Sequence, residues 1–195
     1  MKIDPRMART RQALTEALLR LLDSTNLNSI TVAGLCREAG VHRTTFYGHS
    51  PDVVSFAAAL FVGELDSIAR VDIDPARAGT PESISTAYAA SLRQLLEHVA
   101  TRRPVYRALF TSPVGSGFRV HLTERMRDRA LTAMNSWSQQ GIATAVDNES
   151  AAAFISGGLV GSIEYWSASN RTDAAAYAAA IADLMPGWWP RPTSL

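Results

Sequence analysis

Residues Thr31 to His49 read TVAGLCREAGVHRTTFYGH, and their pattern decides the fold. Thr31 is placed as the N-cap of a short helix, because its hydroxyl can take up a free backbone N–H of the first turn. Val32, Leu35 and Cys36 then fall on one inward face. Gly40 stops that helix in a left-handed turn, where glycine has no side chain to clash. A second short helix is expected from about His42 to Tyr47. The small Ala39 and Gly40 allow the two to cross steeply, and Leu35, Val41 and Phe46 can hold the pair against a preceding helix. That is the layout of a helix-turn-helix.

In such a layout the second short helix enters the major groove of a DNA duplex, with its N-terminal residues at the base edges. The residues present suit that position. Arg43 can fork onto guanine O6 and N7, and Thr44 can offer a hydroxyl to a base or a methyl to thymine. Thr45, Tyr47 and His49 can donate to phosphate oxygens, which fix register rather than sequence. Thr31 sits at a helix N-terminus, where backbone N–H groups also attract phosphate. His42 either caps the second short helix or touches the DNA backbone. Arg9 and Arg11, with Arg6, can reach backbone or minor groove from the leading helix. Taken singly, Thr45 and Tyr47 would be ordinary helix surface and Phe46 is core. His42 and His49 could share a face as metal ligands, but a third ligand at suitable spacing is missing, so no metal is expected.

Outward from this segment the chain reads as helical throughout, and no alternating strand pattern of useful length occurs. Leu14, Leu18, Leu21 and Leu22 mark an amphipathic helix over about 7–24. Ser50-Pro51-Asp52 opens a fourth helix, about 52–69, with Val53, Phe56, Ala57, Leu60, Phe61 and Leu65 on a broad apolar face. The clearest break is 72–81, DIDPARAGTP. Thr80-Pro81-Glu82 caps a fifth helix to about 100, Arg102-Arg103-Pro104 punctuates, and a short helix carries Val105, Tyr106, Leu109 and Phe110. After a loop at 111–117, three further helices are expected at about 118–140, 149–169 and 173–185. The expected fold is all-α with about nine helices: an N-terminal three-helix DNA-binding domain, 1–51, and a larger helical domain, 52–195.

Composition narrows the alternatives. The 195 residues are 47% apolar and 19% charged, which suits a packed core rather than a disordered chain. No apolar run reaches the roughly 18 residues of a membrane span, and the basic N-terminus lacks the apolar stretch of a secretory signal. One cysteine, Cys36, excludes an internal disulfide and a Cys-rich zinc site, and it reads as a small apolar core residue. A reducing, cytoplasmic setting is expected. Net charge is +1, but it is uneven: residues 1–50 hold seven basic and four acidic side chains, +3, and the remainder twelve and fourteen, −2. A basic end on a near-neutral body suits a nucleic-acid-binding head as well as a solvated helix start.

Ile30-Thr31-Val32, Leu35, Glu38-Ala39-Gly40-Val41 and Thr45-Phe46-Tyr47-Gly48-His49 resemble the head of TetR/AcrR-type transcriptional regulators, over roughly residues 8–60. Two positions depart from that pattern. Ser50 stands where members often have an aromatic, and Asp52-Val53-Val54 stands where they often carry a lysine used on phosphate. Losing that lysine would flatten the salt dependence of DNA binding by about one unit. The resemblance implies a C-terminal domain that binds a small effector and forms a homodimer, a regulator that is most often a repressor, and two recognition helices that meet a near-palindromic operator.

The residues support the dimer independently. Gly157, Gly158 and Gly161, with Ser162, lie within one helix, where each glycine costs about 1 kcal/mol against alanine and so needs a packing reason. Phe154, Tyr165 and Trp166 surround them, and Tyr177, Ile181 and Leu184 follow on the last helix; together these are the expected dimer interface. Close packing within one chain is the alternative. Tyr106, Phe110, Met126, Met134, Trp137 and Phe154 are candidate walls of a lipophilic effector pocket. Trp188-Trp189 covers a groove or the dimer seam. No cofactor is expected. A regulator acting with a protein partner instead of an effector is the second reading. A small all-helical enzyme is the third, but no G-x-S-x-G, H-E-x-x-H or phosphate-binding glycine loop is present.

Overall fold

Nine α-helices and one 3-10 turn make up the described residues, without a strand among them. The structure is a computed structural model that describes residues 5–71, 80–112, 115–141 and 146–190. The expected break at 72–81 falls almost wholly outside them, as do two residues of the 111–117 loop. By chain contacts the protein divides into two compact units, Met1–Gly63 with Pro104–Phe118, and Glu64–Arg103 with Arg119–Leu195.

In the first unit, α1 (Pro5–Leu22) packs on α2 (Val32–Ala39), and α2 on α3 (Arg43–Tyr47). The 3-10 turn Leu27–Ser29 joins α1 to α2 and buries Leu27. The apolar faces explain the arrangement: Leu14, Ala17 and Leu18 of α1, Leu35 and Cys36 of α2 and Phe46 of α3 are all buried. α2 starts and stops as its sequence dictates. Thr31 Oγ1 accepts from the Gly34 N–H at 3.0 Å, and Gly40 adopts φ +65°. Phe46 lies 6.0 Å from Phe56, on α4 (Val53–Ile68). Tyr106 and Phe110, on α6 (Arg103–Thr111), pack against Phe61 and Phe118 with ring centroids 5.3 Å and 4.9 Å apart.

The second unit is built on α5 (Pro81–Thr101), which packs against α8 (Asn148–Ala168) and α9 (Ala174–Asp183). α7 (Gly115–Gln139) begins about three residues before its expected start. Each of α5, α8 and α9 is opened by a side-chain cap: Thr80, Asp147 and Asp173 accept from the backbone N–H three residues on.

Trp166 is fully buried in this unit, and its Nε1 donates to the Leu96 carbonyl at 2.9 Å. It stacks on Tyr177 at 5.0 Å, 9° from parallel. Arg103, which in sequence is part of a punctuation, clasps the end of α8. Its guanidinium lies 5.0 Å over Trp166 and donates to the carbonyls of Trp166, Ser169 and Arg171. Those of Trp166 and Ser169 close the C-terminal end of α8 and have no helical partner, so a cation suits both their hydrogen bonds and the helix dipole. A second cluster joins Ile84, Met134, Trp137 and Ala151, against which Tyr88, Trp188 and Trp189 pack. Tyr88, Trp137 and Trp189 meet edge to face with centroids 5.1–5.4 Å apart.

Candidate nucleic-acid interface and cavity

α3 is five residues long, and its burial is one-sided. Phe46 is 0% exposed, whereas Tyr47 is 58% exposed, and Arg43, Thr44 and Thr45 are exposed as well. The side chain that anchors the helix is therefore distinct from those it presents. Arg43 has no hydrogen-bond or ion-pair partner among the described residues. Thr31 is exposed, and since its oxygen accepts from the helix, its O–H stays available as a donor. His42 occupies the N-cap position of α3 but makes no capping bond through its side chain. His49 is half-buried, and its Nε2 is enclosed without a partner, so a phosphate contact from this ring would have to use Nδ1. Arg9 and Arg11 are exposed on α1.

The two departures at the start of α4 have a local structural reason. Asp52 caps the helix: its Oδ1 accepts from the Ser55 N–H at 2.7 Å and its Oδ2 from the Ser55 hydroxyl at 2.9 Å. Ser50 is buried and donates to the Asp52 carbonyl at 3.0 Å. Cys36, on α2, is buried, and burial pushes its thiol up, with the Arg43 charge acting the other way. A protonated, enclosed thiol is a packing residue.

Within the second unit lies a cavity of about 1440 Å³, open to solvent. Met126, Met134 and Trp137 of α7 line it, as expected from sequence. Ile155 and Leu159 of α8, Leu92 and Leu95 of α5 and Trp189 add apolar wall. The other three candidates do not take part. Tyr106 and Phe110 are buried in the first unit, consumed by packing on Phe61 and Phe118, and Phe154 is 63% exposed on the outer side of α8. Arg129 and Asp66 form an ion pair in the wall, Nε to Oδ1 2.5 Å, each side chain 26% exposed. Tyr88 borders the same space, and burial pushes its phenol up to about 12 against the opposing Arg129 charge.

The outer face of α8 is unusually bare. Phe154, Gly157, Gly158, Gly161 and Tyr165 are exposed, and Leu184, just past α9, is 79% exposed. A side chain built on any of the three glycines would meet nothing within 4 Å. Among the described residues no neighbour uses the room these glycines leave, which speaks against close packing within one chain. Two residues expected on this face lie behind it instead. Trp166 and Ile181 are buried in the unit's own core, because Trp166 is engaged by Leu96, Arg103 and Tyr177. Tyr177 is half-buried between the two settings, its hydroxyl donating to the Ser162 carbonyl at 3.3 Å.

Residues 88–186, just over half of the chain, match the TetR-type family profile described as "Transcriptional regulator C-terminal region". The chain belongs to the TetR family of transcriptional regulators. No curated protein matches it. Solved TetR-like structures share the fold along nearly the whole chain. FadR from Bacillus subtilis in complex with stearoyl-CoA superposes with a TM-score of 0.61 at 16% identity, covering 89% of this chain and 96% of that one. RolR in complex with resorcinol gives 0.63 at 19%, covering 92% and 88%. The TetR-family repressor AlkX from Dietzia sp., implicated in biodegradation of n-alkanes, gives 0.58 at 18%, covering 89% and 91%.

Sequence reasoning about this TetR-family chain missed Arg103, Tyr88 and the Arg129–Asp66 pair. The pair's members are 63 positions apart, and no local spacing signals a partner at that separation. Tyr88 carried a weak signal, an aromatic on a helix otherwise rich in small and polar residues.

Proposed function

We propose that the protein is a homodimeric, effector-responsive repressor that holds a near-palindromic DNA operator and releases it when a small ligand enters the second unit. The observation that carries this reading is the exposed Arg43-Thr44-Tyr47 edge on a short helix anchored from behind by Phe46. Arg43 supplies base recognition by a bidentate fork, Thr44 a second base-edge contact, and Thr45, Tyr47, Thr31 and His49 phosphate contacts that set register. Arg9 and Arg11 add sequence-independent attraction.

A dimer presents two such helices about one helical turn of DNA apart, which requires a matching two-fold operator. The bare glycine-containing face of α8 supports a second copy as the occupant of that face, with Phe154, Tyr165 and Leu184 as its apolar anchors. The α4 helix contributes residues to both units, so a shift along it links cavity to DNA head covalently. The ligand acts only if it binds the released state more tightly than the DNA-bound one. Structural neighbours bound to stearoyl-CoA and resorcinol support an effector in the helical domain. The cavity favours that reading over a regulator driven by a protein partner alone.

Selection of bound fragments from the source genome tests the reading, followed by gel shifts with candidate ligands. One or a few near-palindromic sites, bound in the nanomolar range at moderate salt and released by a ligand that also raises the melting temperature, are expected. Indifference to every duplex at low salt would refute it.

A further inference from the structure

The cavity wall contains an anchor with only donors to spare. Arg129 of α7 gives its Nε to Asp66, and its terminal guanidinium nitrogens have no partner among the described residues. Tyr88 borders the same cavity, its hydroxyl has no hydrogen-bond partner among the described residues, and the Arg129 charge acts on its phenol. Asp66 is the one lining carboxylate that meets Arg129, on the Nε side. The other two, Asp128 and Asp183, are exposed at the edge, where Arg70, Arg93 and Arg125 are exposed as well. A partly desolvated guanidinium with two nitrogens free, in the same wall as a neutral O–H donor, selects an acceptor, and the charge selects an anion. From Arg125 to Trp137, α7 lines the cavity over about 18 Å of helix. Met134 and Trp137, with Ile155 and Leu159 across from α7 on α8, give the apolar share of that wall.

We infer that the effector is an amphipathic anion, its carboxylate-type head held by the terminal nitrogens of Arg129 and the Tyr88 hydroxyl, its apolar body laid along Met134, Trp137, Ile155 and Leu159. This rests on the effector-responsive reading above and names the ligand class.

The test compares sodium dodecanoate, 1-dodecanol and dodecylammonium chloride, each below its aggregation limit, by calorimetry on the full-length protein. Dodecanoate is expected to bind at least tenfold more tightly than the alcohol, and the ammonium most weakly. Arg129→Gln is expected to erase the preference for the acid while alcohol binding stays within about threefold, and Tyr88→Phe to narrow it by a smaller factor. Should Arg129→Gln fail to fold, Arg129→Lys keeps the charge but loses the fork, and a partial loss of acid preference is expected. Equal affinity for acid and alcohol, preference for the ammonium, or an undiminished acid preference in both Arg129 variants overturns the inference. So does failure of all three probes to bind. Operator binding measured on the same preparation separates the outcomes: if it persists while the charge preference is missing, the anion assignment falls and the DNA-binding reading stands.

Discussion

At the scale of single residues, α3 separates anchoring from recognition. Phe46 is fully enclosed, and truncating it would cost about 3–5 kcal/mol of stability, so DNA effects of such a variant would be confounded by unfolding. Arg43 has no hydrogen-bond or ion-pair partner among the described residues. Arg43→Ala is therefore expected to leave stability within about 0.5 kcal/mol and to weaken the best operator by about 1–3 kcal/mol with relaxed base preference. Competition of operator against random duplex reads this directly; equal loss on both would assign Arg43 to phosphate alone. Tyr88 makes a different kind of prediction. Its phenol is pushed up to about 12 from an ordinary value near 10, so the folded state keeps a proton that the unfolded chain gives up. The stability this contributes is fully present below about pH 10 and is lost as pH rises toward 12. Urea unfolding across that window should show the decline, and Tyr88→Phe should remove its share, on the order of 2 kcal/mol.

At the scale of elements, helix ends are held by side chains of two origins. Thr31, Thr80, Asp147 and Asp173 cap their own helices, and a short-range pattern reveals them. Arg103 closes α8 from 63 positions away, and nothing local announces it. Arg103→Ala takes the guanidinium donor from three carbonyls, of which only that of Trp166 keeps another, the Ser169 hydroxyl, and uncovers Trp166, so a loss of about 2–4 kcal/mol is expected, read as a lower urea midpoint. Arg103→Lys should recover only part, because one ammonium cannot reproduce the planar fork. The glycines of α8 give the opposite case. In the single chain a side chain at Gly161 meets open space, so Gly161→Leu should preserve helical circular dichroism. Under the proposed dimer the same leucine collides with the partner helix, and light scattering should then find monomers where the parent is dimeric. A variant that remains fully dimeric would place the interface elsewhere.

At the scale of the whole molecule, the proposed operation depends on two heads set at one spacing. A five-base-pair insertion between operator half-sites turns one of them about half a helical turn away from its recognition helix. At least a tenfold loss of affinity is expected in a gel shift, with a ten-base-pair insertion costing less. Unchanged binding after the five-base-pair insertion would mean that the heads act independently.

The nine helices among the described residues, the αL turn at Gly40 and the exposed residues of α3 were legible because each follows from interactions within a few positions: caps, helical periodicity and one glycine. Of the six side chains read as pocket walls from residue type, Met126, Met134 and Trp137 line the cavity, while Tyr106, Phe110 and Phe154 do not, since an aromatic on a helix has the same signature whether it faces a void, another ring or solvent. Trp166 and Ile181 fit the α8 and α9 surface pattern but lie beneath it, because which side of a helix is covered is settled by its neighbours. Local sequence thus determined where the chain turns helical and what its second short helix presents. Which apolar side chains fill the core, which leave a cavity, and which charges meet across 63 positions were decided by tertiary packing, where burial depends on elements far apart in the chain.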